Sequence, residues 1–119
     1  MKVIIAGSRD FDDYELLKVK CDYYLSNSLD TQIEIVSGTA RGADSLGEQY
    51  AIDKGYKITK FPADWNQYGK SAGYVRNKQM AEYSDCLICF WDGKSSGTKH
   101  MIDLAKSYNL KTKVVIYES

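Results

Sequence analysis

The sequence predicts an α/β fold: a doubly wound parallel sheet of five strands in the order 3-2-1-4-5, with helices on both faces. Three observations predict it. Five short apolar runs alternate with longer stretches of helical character, the pattern of strand–helix–strand units joined by right-handed crossovers. The run Cys86-Leu87-Ile88-Cys89-Phe90-Trp91 is apolar throughout, as a central strand covered on both faces must be. Three of the runs end in polar turns that carry glycine, and the carboxyl ends of such strands are where ligands bind in open α/β sheets.

The elements follow in order. The first strand is Val3 to Ala6. The first helix runs from about Tyr14 to Ser26, after aspartates that suit a helix start, and offers Leu16, Leu17, Val19, Cys21, Tyr24 and Leu25 for burial. The second strand is Ile33 to Val36. The second helix opens near Gly42-Ala43-Asp44, carries Leu46, Tyr50, Ala51 and Ile52, and stops at Gly55, a natural C-terminal glycine. Tyr56 to Phe61 is the third strand. Pro62 begins a polar loop through Gly73, and the third helix runs from about Tyr74 to Tyr83. After the apolar fourth strand, the fourth helix starts around Gly97-Thr98 and reaches Tyr108, with Asn109 as its cap. Lys113 to Tyr117 is the fifth strand. Strand order 3-2-1-4-5 reverses the chain direction between the first and fourth strands and opens a crevice there. With no linker or repeat, residues 1–119 read as one domain.

Composition sets the class. The chain has 119 residues, 44% hydrophobic and 27% charged, enough to bury a core without disulfide or metal. Its formal net charge is zero, which argues against a nonspecific grip on nucleic acid. No apolar run approaches ~20 residues, so no membrane helix is expected. The N-terminus reads as a strand and not as a signal peptide. Three cysteines, two of them in an apolar run, point to a reducing compartment, and a cytoplasmic location is expected. Cys86 and Cys89 form a C-x-x-C, but residues three apart on a strand face opposite ways. They read as buried hydrophobes, and no metal site is expected.

Of sixteen basic residues only three are arginine, and all three lie in or beside turns rich in small polar residues. Arginine is the planar fork that grips phosphate in two places. The first turn is Gly7-Ser8-Arg9-Asp10. The second, Ser37-Gly38-Thr39-Ala40-Arg41-Gly42-Ala43-Asp44, opens a helix, whose free N–H groups and dipole favour an anion. Asp44 there suits either a ribose hydroxyl or a helix cap. The third turn follows the fourth strand: Asp92-Gly93-Lys94-Ser95-Ser96-Gly97-Thr98. It lacks the Walker A spacing, and so does Gly69-Lys70-Ser71. Arg76 and Asn77 open the third helix, where the dipole gives an arginine nothing, so an anionic ligand is the expected partner. Trp65 and Tyr68 either stack a base or pin their loop. His100 either packs at the helix start or meets a base at the rim; it has no assignable carboxylate partner, so no dyad is expected.

Taken together, these turns, with Pro62-Ala63-Asp64-Trp65, Tyr68-Gly69, Gly73 with Arg76-Asn77, and Gly97-Thr98, resemble the SLOG superfamily. This Rossmann-like group includes the Lonely Guy phosphoribohydrolases and the Rossmann core of the DNA-processing protein DprA. The nearer resemblance is to its small YspA/YpsA-related branch, often bacterial or phage-borne. The resemblance implies binding of a nucleotide or nucleotide-derived ligand. It also shows a departure. Lonely Guy enzymes carry P-G-G-x-G-T-x-x-E, and here the glutamate position is Met101, while the Pro-Gly-Gly start is not kept; their assisting arginine is matched by Arg76. Methionine neither moves a proton nor stabilises a cationic centre.

The expectation is therefore a domain that senses or sequesters a ribose-phosphate ligand. Its expected ligand-binding residues are Gly7, Ser8, Arg9, Ser37, Gly38, Thr39, Arg41, Gly42, Asp44, Trp65, Arg76, Asn77, Asp92, Gly93, Ser96, Gly97, Thr98 and His100. The alternatives are a nucleotide hydrolase of phosphoribohydrolase type and a single-stranded DNA binder of DprA type. No cofactor beyond a nucleotide-like ligand is identified. A small nucleotide derivative is the expected partner, a membrane and nucleic acid are not, and homo-oligomerisation stays open.

Overall fold

The computed structural model describes residues 1–26 and 32–118. They build one five-stranded sheet in the order β3-β2-β1-β4-β5: β1 Lys2–Gly7, β2 Glu34–Ser37, β3 Lys57–Lys60, β4 Cys86–Trp91 and β5 Lys111–Ile116. Every neighbouring pair is parallel. The register sets Gly7 opposite Phe90 across the β1–β4 pair. Central β1 keeps Val3, Ile4 and Ile5 fully buried, because helices cover both faces.

One face holds α1 (Tyr14–Leu25) and α2 (Ala43–Lys54). Here Leu17, Cys21, Tyr50 and Ala51 pack on Val3, Ile5, Ile35, Ile88 and Phe90. The other face holds α4 (Ala72–Tyr83) and α5 (Ser96–Ser107), whose Met80, Ala81, Met101, Ile102 and Ala105 pack on Ile4, Val36, Leu87 and Cys89. Alternation along β4 sends Cys86 and Cys89 into opposite layers, as period two requires. Burial pushes the thiols up, Cys86 to about 11 and Cys89 to about 12.

Helix boundaries have local causes. The Asp13 side chain accepts the Leu16 N–H at 3.0 Å and starts α1. Gly55 ends α2 in the left-handed conformation at φ 74°. Asn109 leaves α5 the same way at φ 61°.

Three expectations need correction. Val19 and Ile52 are 61% and 65% exposed. The buried stripe of α1 is Leu17, Cys21 and Leu25, four residues apart, so Val19 falls on the far side. The stripe of α2 is Ala43, Asp44, Gly47, Tyr50 and Ala51, and Ile52 turns away from it. The segment after Pro62 is no open loop. A short helix, α3 (Trp65–Tyr68), and a 3₁₀ turn (Gly69–Ser71) run directly into α4, which begins at Ala72. Asp64 caps α3 by accepting the Gln67 N–H at 3.1 Å.

Candidate functional site

The carboxyl ends of the strands meet in a cavity of about 600 Å³. Its floor joins the turn after β1 to the turn after β4. The Ser8 N–H reaches the Phe90 carbonyl at 2.9 Å, and Ser8 Oγ accepts from the Asp92 N–H at 3.2 Å. Ser95 Oγ donates to Ser8 Oγ at 3.1 Å. Asp92 accepts the N–H groups of Lys94 and Ser95, each at 2.8 Å. These backbone bonds, that from Ser95 foremost, hold its carboxyl below the usual carboxylate range. Ser95 leads into α5, and Ser96, Gly97 and Thr98 of its first turn line the cavity.

The turn after β2 forms the next wall. Gly38 lets two side chains come close: a Cβ there would lie 2.7 Å from both Arg76 Nη1 and Asp44 Oδ2, and those side-chain ends would have to move. Thr39 takes φ 64°, costly for a β-branched residue. The Ser37 hydroxyl holds this turn, accepting the Thr39 N–H at 3.0 Å and donating to Glu48 at 2.6 Å. Asp44 accepts the Ala40 N–H at 3.2 Å. Burial pushes its carboxyl up to about 6 against the opposing pull of that bond and of Arg76 and Arg9.

Helix α4 closes the third side with Gly73, Tyr74, Arg76, Asn77 and Met80. Arg76 Nη1 donates to the Gly38 carbonyl, and Nε donates to Asn77 Oδ1 at 3.1 Å. Desolvation lowers the Arg76 pKa. The Asn77 amide nitrogen lies 3.4 Å from the Gly97 carbonyl and 3.2 Å from His100 Nδ1. These bonds tie the β2 turn to α4 and α4 to α5 across the cavity.

A second cavity, of about 320 Å³, lies over β2 and β3. Arg9, Ala40, Arg41, Trp65 and Arg76 line both. The three arginines of the chain, remote in sequence, thus converge on one wall.

The structure brings Gly7, Ser8, Arg9, Arg41, Asp44, Trp65, Arg76, Asn77, Asp92, Ser96, Gly97 and Thr98 to the first cavity and Gly38 and Thr39 to the second. Four expected residues lie outside both walls. Ser37 is 1% exposed and builds its turn. Gly42, at φ 79°, packs where a Cβ would sit 2.5 Å from the carbonyls of Ser8 and Arg9. Gly93 takes φ 81° in an open turn. His100 packs edge-on against Tyr74, ring centroids 4.5 Å apart, and meets Asn77 instead of the cavity. Two arguments also change. The Ala43 N–H at the start of α2 bonds the Ser8 carbonyl at 3.3 Å, so one donor of that terminus is already taken. Arg76 sits in the second turn of α4, not its first. Lys70, Tyr74 and Ser95 also line the first cavity; only Ser95 had a signal in the sequence, its place in the third polar turn. Met101 lines it too, 2% exposed.

Among the described residues no group of His, Cys, Asp and Glu could hold a metal ion, and no helix is long and apolar enough to cross a membrane.

Residues 1–68 match the profile of the YspA, cpYpsA-related SLOG family. The gene 61 protein of Mycobacterium phage D29 is 33% identical over 105 residues, 83% of each chain. Among solved structures, DNA processing protein A from Helicobacter pylori superposes with a TM-score of 0.68 at 22% identity. That structure concerns the protein's single-stranded DNA binding mode. The match covers 96% of this chain but 64% of that one, and at this identity it speaks for the fold.

Proposed function

The chain belongs to the YspA, cpYpsA-related SLOG family, and from that premise we propose that it binds a phosphorylated nucleoside in the cavity over β1 and β4. One observation carries the reading: Arg9, Arg41 and Arg76 share one wall of an open cavity at the switch point of the sheet. Guanidinium groups clustered beside a helix N-terminus attract phosphate oxygens. The half-exposed Trp65 indole on the same wall offers a base a stacking face. The ionised Asp92 carboxylate suits a ribose hydroxyl.

Met101 stands in the first turns of α5, where the glutamate of Lonely Guy enzymes would fall. It gives the cavity an apolar thioether and no proton donor. Sensing or sequestration is therefore placed ahead of hydrolysis.

Calorimetric titration with a panel of nucleoside phosphates tests the proposal. At least one should bind specifically, and Arg41→Ala or Arg76→Ala should weaken it by roughly 1.5–3 kcal/mol, the worth of a hydrogen bond to a charged group. Undiminished affinity in both variants would remove the anion-grip argument.

A second reading is single-stranded DNA binding, favoured by the fold shared with DNA processing protein A. The cationic wall would then hold consecutive phosphates, with Trp65 stacking bases. Anisotropy titration with a short oligonucleotide separates the two. Tight binding whose logarithm falls steeply with salt supports DNA; weak binding beside a tight mononucleotide supports the first reading.

A further inference from the structure

Asn77 is buried, 7% exposed, and both ends of its amide are engaged. Its Oδ1 accepts from Arg76 Nε at 3.1 Å. A guanidinium N–H can only donate, so Arg76 decides which way the amide faces. The amide nitrogen then faces α5, 3.4 Å from the Gly97 carbonyl and 3.2 Å from His100 Nδ1. Both of its hydrogens are donors, so Nδ1 must accept. The His100 ring is therefore neutral, with its proton on Nε2. The three side chains have one consistent polarity, running from Arg76 to Asn77 to His100.

One end of this chain reaches the cavities and the other does not. Arg76 lines both cavities, and its Nη1 donates to the Gly38 carbonyl. A long, flexible side chain loses rotamer freedom when it is fixed, and Asn77 at Nε and Gly38 at Nη1 fix this one at two points. His100 is half-buried and touches Asn77 from the side of α5.

Protonation of His100 breaks the polarity. The added proton belongs on Nδ1 and meets the Asn77 amide nitrogen, two donors with no acceptor between them. The amide relieves this by turning Oδ1 toward the ring, which takes the acceptor away from Arg76 Nε. Two other groups bear on the ring. Tyr74 of α4 lies edge-on to it, with ring centroids 4.5 Å apart. Asp103 of α5 favours the charged ring, and is itself paired with Lys99 at 2.8 Å. Burial outweighs Asp103 and lowers the His100 pKa.

We infer that Asn77 and His100 are positioning residues for Arg76, and that a proton on His100 releases the guanidinium from the pose Asn77 holds. The bearing on binding rests on the proposed role of Arg76 as an anion-binding group. The linkage itself is a property of the free protein, so each can fail alone.

His100 is the only histidine in the chain, so NMR can follow its ring nitrogens directly. Near neutral pH they should place the proton on Nε2; a proton on Nδ1 would overturn the inference. As pH falls, the Arg76 Nε–H signal should shift with the His100 midpoint. Asp44, whose carboxyl is pushed up to about 6 with Arg76 acting on it, adds a step of its own. His100→Asn separates the two, because its amide oxygen offers a non-titrating acceptor to Asn77. In that variant the His100 step should vanish and the Asp44 step remain. An Arg76 signal that titrates as in the parent would overturn the inference. Asn77→Ala removes the donor that favours the neutral ring. It should raise the His100 midpoint by roughly half to one pH unit, the worth of a neutral hydrogen bond; an unchanged midpoint would count against the linkage. AMP then tests the bearing on binding. The field of a nearby anion raises a histidine pKa, whereas an anion that needs Arg76 held in place opposes protonation and lowers it. AMP should therefore lower the His100 midpoint, and a rise would refute the effect on binding. AMP that moves no signal, with the linkage present in the free protein, would contradict the nucleotide site and not the positioning of Arg76.

Discussion

Asp44 is buried beside arginines, yet desolvation outweighs them and its carboxyl is pushed up to about 6. Arg76 and Arg9 favour the ionised form; Glu48 and burial oppose it. The folded chain therefore holds this proton more tightly than the unfolded chain does. Stability should rise as pH falls from about 6 toward 4, by at most about 1.4 kcal/mol per pH unit. Asp22, Glu34 and Asp92 act in the opposite sense, because their values are lowered. Their contributions fade as pH falls from the ordinary carboxylate values toward the lowered ones, and His100, whose pKa burial lowers, costs stability as pH falls through the ordinary histidine range. Urea unfolding at pH 6.5 and 4.5 should show the rise due to Asp44 as a difference between the parent and Asp44→Asn. Asp44→Asn keeps an acceptor for the Ala40 N–H and should flatten it. Equal slopes in parent and variant would mean that Asp44 does not titrate in this window. The sequence left Asp44 between ribose contact and helix cap, because burial, which sets its chemistry, depends on a wall made by residues from three elements.

At the scale of elements, the β1 turn is defined by contact with β4. A Cβ on Gly7 would lie 2.1 Å from the Phe90 carbonyl oxygen and 2.9 Å from the Ala43 Cβ. Neither neighbour is the free end of a side chain, so the strand or helix must move. Gly7→Ala should lower unfolding free energy by about 3 kcal/mol, the upper part of the range for overpacking. A urea midpoint within error of the parent's would show that the turn relaxes freely. The strands and four long helices were legible from alternating apolar runs, glycine and aspartate. The short helix α3 was not read, although Asp64 stands three residues before Gln67, the spacing of a capping box. The surrounding polar residues and Pro62 read more strongly as loop. Val19 and Ile52 were misjudged for a different reason: their hydrophobicity outweighed their angular position on the helix, and position decides burial.

On the scale of the whole molecule, strand order converts sequence into site. Order 3-2-1-4-5 puts the turns after β1, β2 and β4 on one edge, so residues separated by tens of positions meet. That convergence was legible for the arginines, because two of them follow strands directly. It was not legible for Lys70 and Tyr74, whose approach depends on how α3 and α4 fold over the edge. Nor was it legible for His100, which the helix phase carries against Tyr74. A net charge of zero hides the gathering of the three arginines on one wall, and ligands meet local fields before global ones. The account rests on the location of the site. Following backbone amide chemical shifts during titration with the tightest-binding nucleotide tests it directly. Shifts should concentrate in residues 7–10, 38–44, 65–77 and 92–98. Shifts gathered instead at the opposite edge of the sheet, around Glu34, Tyr83 and Asp85, would contradict it.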